Sequence, residues 1–216
     1  MPHLRLKTVP LAVIGAALVA VAALPAQTGK LSGAADPARV AAGTYTADPA
    51  HTLIGWRVSH MGFNDYFGLF GSITGSLTID PARPEAASVT ITVPVRKVTT
   101  ADRILTSRLL QPRISGKPDY FGPEPKDATF VSTRVVPGAD GKTATIEGNL
   151  TLNGATRPVS IAATFAGAGK NPYTGKATVG FHGLTKIKRS DFGLTADMTL
   201  VGDEVELTIT AAFEKR

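Results

Sequence analysis

The chain has no cysteine among its 216 residues. That excludes a disulfide framework, a thiol nucleophile and acylation at a mature N-terminal cysteine. Burial and ladder hydrogen bonds must hold the fold unaided. Histidine occurs four times and tryptophan once. No Gly-x-Ser-x-Gly elbow and no metal-binding helix motif is present. The charge surplus is small, with 23 basic residues against 17 acidic ones. It leaves no nucleic-acid footprint, so no nucleic-acid partner is expected. Alternation of strands with helices is also missing, which argues against a parallel α/β sheet.

Residues 1–26 have the layout of a secretory signal. Arg5 and Lys7 precede an apolar run over 9–24, and Pro25-Ala26 ends it. The expectation is export to the periplasm or beyond. Leu24 is a poor residue three positions before a cut at Ala26, so an uncleaved anchor is the alternative. Residues 27–42, rich in Ala, Gly and Pro, read as a flexible linker. Residues 43–216 are long enough for one domain with a sizeable core.

That domain reads as all-β. Leu69, Ile73, Leu77 and Ile79 share one parity; Val89, Ile91, Val93 and Val95 share another row; Val205, Leu207, Ile209 and Phe213 share a third. Period two with one apolar face marks half-buried antiparallel strands. Turn signals separate them, among them Asp80-Pro81, Asn153-Gly154 and Gly202-Asp203. Eight or nine strands are expected, with one helix over 100–112 after the fourth. Thr100 would cap that helix, Ile104, Leu105, Leu109 and Leu110 would form its stripe, and Pro112 would end it. Gly55, Gly71, Gly75, Gly148 and Gly180 inside strands mark bends or close approaches, which favours a barrel over a sandwich.

The stretch DPAHTLIGWRVSHMGFNDYFGLFGS (48–72) holds the only tryptophan and two histidines. Arg57 marks the odd face of its first strand as wet, so Ile54, Trp56, Val58 and His60 face inward. His51 falls on the other parity and reads as a turn residue beside Asp48. His60 has two readings: a core histidine satisfied locally, or a polar contact for a ligand's head group. Phe63, Phe67 and Phe70 are concentrated among glycines, as a core corner or as an aromatic mouth. Arg189 and Asp191, followed by Phe192, read as a structural ion pair or as a grip on an anionic head group.

Four pieces resemble the YceI-like family in its order. The first is Asp48, His51-Thr52, Val58, His60, Gly62, Gly68, Phe70 and Gly75, followed by Leu77 and Asp80. The second is PDYFGPEPKDATFVS (118–132), which contains Phe121. The third is GNLTLNGATRPVSI (148–161), and the fourth is KRSDFGL (188–194). The chain departs from the family pattern in its helix, which has no histidine.

The resemblance implies an extended eight-stranded antiparallel lipocalin-like barrel with one inserted helix. It also implies an apolar tunnel for a long isoprenoid lipid, a quinone or a polyprenyl lipid, held for transport, storage or stress protection. The ligand-contacting residues would be Ile54, Trp56, Val58, His60, Phe63, Phe67, Phe70, Phe121, Arg189, Asp191 and Phe192. No catalytic residue, metal or cofactor beyond the bound lipid is expected. Transient membrane contact and a homodimer are compatible with this reading. Two other classes stand beside it: an isoprenoid-modifying enzyme using His60 with Asp65 or Asp191, and a haem or metal protein using His51, His60 and His182.

Overall fold

The computed structural model describes residues 31–112 and 120–216. The expected signal segment, 1–26, lies outside them. The described strands are β1 (Gly33–Ala34), β2 (Gly43–Ala47), β3 (Leu53–His60), β4 (Asn64–Phe70), β5 (Thr74–Ile79), β6 (Ser88–Val93), β7 (Thr99–Thr100), β8 (Ala128–Pro137), β9 (Thr143–Leu152), β10 (Ala155–Lys170), β11 (Ala177–Lys188) and β12 (Val201–Lys215); the helix α1 (Arg103–Leu109) follows β7.

β12 is the seam of the barrel. One edge pairs with β11 from Thr178↔Glu214 to Lys188↔Glu204. The other edge pairs first with β2 (Phe213↔Ala47) and then with β3 (Thr210↔Leu53 to Val201↔His60). β2 and β3 therefore act as one long strand bent at 48–52. β5 pairs with β2 and β4 with β3, while β6 pairs with β5 and β7 with β4. These are two more bent strands. Counted so, the sheet closes as an eight-stranded antiparallel barrel through β8, β9, β10 and β11.

The bends explain where the expected rows break. Ser72 has φ 55 between β4 and β5. This left-handed residue interrupts the pleat and switches the inward parity from Phe70 to Leu77. Leu69, expected inward with Ile73 and Leu77, is 46% exposed while Ile73 is fully buried. Val95 was expected to extend β6, yet it sits in a 3-10 turn after Pro94, buried all the same. Proline cannot donate to the ladder, so the strand stops there.

The helix is shorter than expected and follows the third long strand. Asp102 caps it instead of Thr100, accepting from the Ile104 N–H at 2.8 Å. The Thr100 hydroxyl donates to the Asp102 carbonyl. The helix ends before Pro112, and Ile104 faces solvent, 73% exposed.

The linker expectation also changes within the described residues. β1 pairs with β10 at Gly33↔Gly169 and Ala34↔Ala168, and Val40 packs against a buried cluster. Glycine on β10 permits this. A Cβ at Gly169 would stand 2.2 Å from the Ser32 carbonyl oxygen. Among the strand glycines singled out, Gly75 and Gly148 are true close approaches. A Cβ would meet the Thr90 carbonyl oxygen at 2.1 Å in one and the Phe130 ring at 2.4 Å in the other. Gly55 and Gly180 have ordinary room.

Candidate functional site

The barrel encloses space. A cavity of about 490 Å³ opens among the turns beside Pro37, Pro81, Pro84 and Lys142 and runs inward between Ile91, Phe130, Ile161 and Ile209. A second cavity of about 160 Å³ lies beneath α1, against Leu105 and Leu109. The two share Ile54, Val93, Leu150 and Leu207 in their walls, so they meet at a waist. The larger volume falls within the roughly 300–1,000 Å³ of small-molecule sites.

The inward rows of β12 and β9 show what kind of interior this is. Leu207, Ile209, Ile146 and Leu150 point inward by parity and line the larger cavity, yet they are only half-buried. A filled core would bury them. Their remaining accessible surface faces the lumen.

The sequence-predicted residues divide into two groups. Ile54 borders both cavities; Trp56, Val58, Phe70, Phe121 and Arg189 border the smaller one. The other five lie away from both walls. His60 is half-buried at the end of β3, its ring stacked on Tyr66 with centroids 4.2 Å apart. Phe63 is 88% exposed at the β3–β4 turn, and Phe67 is 64% exposed. Phe67 has the odd parity of β4 and so shares the outer face with Asp65, which pairs with Arg57 at 3.3 Å. Phe192 is buried in a core cluster. Asp191 is exposed in the turn that follows β11.

Arg189 and Asp191 do not pair. The buried guanidinium donates to the carbonyl oxygens of Gly202, Leu194, Ala196 and Val201, all at 2.7–2.8 Å. It knots the turn after β11 to the start of β12. Burial pulls its pKa down from the ordinary arginine value, against the pull of Tyr120, Asp203 and Asp197. The acidic partner of this motif is Asp203, which accepts from the Ser190 N–H at 2.9 Å and the Ser190 hydroxyl at 2.8 Å. Burial alone would raise the Asp203 pKa, but those bonds hold it below the ordinary value.

Among the described residues, one buried side-chain polar atom has no partner. Trp56 Nε1 is shielded from solvent and has no hydrogen-bond partner. The ring edge beside it lies over Gly68, where a Cβ would fall 2.4 Å from Cε2.

The three described histidines, His51, His60 and His182, form no joint site. His51 Nδ1 lies 2.6 Å from Asp48 Oδ2 at the start of β3, and burial of Asp48 is outweighed by bonds from His51 and Ala50, which lower its pKa. His60 is at the far end of the same strand, and His182 is exposed on β11. No group of three or more His, Asp or Glu suited to a metal occurs among the described residues.

Sequence reasoning missed Leu150 and Leu207 at the waist and the contribution of the N-terminal stretch through Pro37 and Val40. Leu207 was visible as an inward position of its row. Nothing local signals that residues 37–40 reach the mouth.

A family model described as the YceI-like domain matches residues 45–213. A UPF0312 protein of Pseudomonas fluorescens is 37% identical over 180 residues, covering 80% of this chain and 87% of its own. A second, from Ectopseudomonas mendocina, is 37% identical over 165 residues, covering 74% and 80%. These names state no enzymatic activity. Among solved structures, Burkholderia cenocepacia BcnA superposes with TM-score 0.64 at 25% identity, covering 77% of this chain and 98% of its own. A polyisoprenoid binding domain from Saccharophagus degradans, implicated in plant cell wall breakdown, shares the fold with TM-score 0.56 at 12% identity, covering 80% and 98%. With its central residues matched from the second strand to the last, the chain belongs to the YceI-like family.

Proposed function

We propose that this protein is an exported carrier or store for a long-chain isoprenoid lipid, held along the barrel axis. The observation that carries this reading is the hollow interior: aliphatic side chains line two cavities joined at a waist and keep accessible surface inside the barrel. Such a space suits a flexible apolar chain. At about 0.8 kcal/mol per buried methylene, one five-carbon unit contributes roughly 3–4 kcal/mol as an upper bound. A few units offset the ordering cost of binding. The Saccharophagus degradans domain, a polyisoprenoid binder of the same fold, supports the ligand class.

The exported form begins after residue 26 in this reading, and N-terminal sequencing of the periplasmic or secreted protein tests it. Exchange of the lipid brings the barrel briefly to a membrane surface. Exposed Phe63 and Met61, the latter bonded through its N–H to the Leu200 carbonyl, suit that contact. Native mass spectrometry of protein purified without detergent is the direct test. A bound mass matching an isoprenoid quinone or polyprenyl lipid supports the proposal. An empty protein that also takes up neither when offered an excess sinks it.

A further inference from the structure

Resting on the carrier reading, we infer that residues 31–42 form a strap over the mouth of the larger cavity, and that its release from β10 sets how fast lipid enters and leaves. β9 pairs with β10 as far as Thr164↔Thr143. The Phe165 N–H then donates to the Lys142 carbonyl. β1 takes the edge beyond, at Ala168 and Gly169. From there the chain must reach β2, yet β11 and β12 stand between β10 and β2 in the wall. It crosses the end of the barrel on the way. Val40 packs against the cluster of Tyr45, Phe165 and Phe213, and both Pro37 and Val40 border the larger cavity.

The two ends of the strap are held unequally. At the β2 end, the Tyr45 hydroxyl donates to the Ala41 carbonyl at 2.6 Å, and the Lys215 ammonium donates to the Ala42 carbonyl at 2.9 Å. The β10 end has two ladder positions, built from glycine and alanine alone. Between the ends, the strap bonds to itself. Asp36 accepts from the Ala38 N–H at 3.0 Å, and Arg39 donates to the Ser32 carbonyl at 3.2 Å. None of residues 31–42 is fully buried. A segment with few buried contacts opens locally at low cost. The barrel stays closed when this one opens, because β10 keeps β9 and β11 while β2 keeps β5 and β12. β10 is also shaped as a seat. The three atoms nearest a Cβ at Gly167 belong to Ala34, and those nearest a Cβ at Gly169 belong to Ser32 and Gly33.

The test pins the strap and then frees it. Directly paired residues have Cα atoms roughly 4.5–5.5 Å apart, inside the span of roughly 4.4–6.8 Å that disulfides bridge. Ala34→Cys combined with Ala168→Cys puts a thiol on each member of one pair, in a chain with no other cysteine. Each protein is loaded with a prenylated benzoquinone or, where that does not bind, a polyprenol. It is then mixed with excess phosphatidylcholine vesicles, and the lipid left on it is measured over time. The oxidised double variant should release lipid at least about tenfold more slowly than the same protein reduced. Gly169→Val, which expels the Ser32 carbonyl from its seat, should take up and release lipid at least about fivefold faster than wild type, with Kd changed less than about threefold. Equal release from the oxidised and reduced forms overturns the inference, as do wild-type rates in a folded Gly169→Val. Failure of the two thiols to cross-link under mild oxidant overturns it too, since β1 then does not lie on β10. Where Gly169→Val does not fold, the oxidised and reduced forms decide alone. If wild-type protein takes up lipid and the latch leaves its exchange unchanged, only this inference fails. If wild-type protein takes up neither lipid, the carrier reading fails, and the strap inference with it.

Discussion

Leu207→Trp tests whether the barrel is hollow. Leu207 stands at the waist, inward on β12 and only half-buried, with its free surface in the lumen. In a filled core an added indole forces neighbours off their rotamers and costs typically about 1–3 kcal/mol. For a domain of this size each kcal/mol lowers Tm by roughly 2–4 °C, so a filled barrel loses about 2–12 °C. At the waist the ring has cavities of about 490 and 160 Å³ on its two sides. The ligand-free variant should then melt within about 2 °C of wild type, since little overpacking strain arises. The same ring blocks the path between the cavities, so long-chain lipid should vanish from native mass spectra. Thr208→Trp, outward and exposed on the next residue, is the control and should keep both properties. A large Tm drop in Leu207→Trp with the lipid mass retained would refute the hollow-barrel argument.

Three further outcomes are expected. Arg189→Met leaves the carbonyls of Leu194, Ala196, Val201 and Gly202 without their donor, and should cost at least about 3 kcal/mol in urea unfolding while the folded fraction keeps its lipid affinity; a loss below 1 kcal/mol on that scale would show that the knot is dispensable. Asp203 has a folded pKa below its ordinary 3.8, so its contribution is complete above that value and is lost as pH falls further, through the folded pKa. Asp203→Asn should therefore be less stable than wild type by about 1–2 kcal/mol near neutrality, with the gap closing below pH 3.8, and a gap that widens in acid contradicts the assignment. Phe63→Asp, at a position 88% exposed, should leave Tm unchanged and reduce co-sedimentation with phospholipid vesicles; equal sedimentation removes the membrane role of that turn.

What the sequence revealed and what it hid follow one physical line. Parity along β3 was legible because Arg57 fixes the wet face, and Ile54, Trp56 and Val58 do line the interior. Barrel closure was legible through strand rhythm and through Gly75 and Gly148, which admit close neighbours. Leu69 was misplaced because Ser72 adopts a left-handed conformation that no row of alternating residues announces. His60 was placed too deep: its parity is inward, but the strand ends there and Tyr66 covers the ring. Arg189 was matched to Asp191, two residues away, because a sequence displays charges and hides carbonyl oxygens. Its true partners are main-chain atoms of residues 194–202, brought near by the return of the chain into β12.

The hollow interior raises the question of what replaces a central core. A typical domain has one contiguous buried cluster. Among the described residues there are two, one around Tyr45, Leu77, Phe165 and Phe213, the other around Ile73, Val95, Leu152 and Phe192. The second adjoins the Arg189 knot through Phe192 and Leu194, and Asn153 donates to the Phe192 carbonyl at 2.9 Å. Of the waist residues, Val93 is a buried member of the second cluster, whereas Ile54, Leu150 and Leu207 are only half-buried. Rigidity thus resides in these two clusters and a continuous hydrogen-bonded wall, and the half-buried waist residues leave open space in the lumen. A chain without cysteine can keep an open lumen in this way, because closing the sheet pairs every long strand on both sides. Lipid bound at the waist then adds the contacts that a central core would have supplied. By linkage, the occupied protein should melt higher in proportion to the logarithm of free lipid over Kd. A Tm independent of lipid concentration would mean that the waist is already closed by protein.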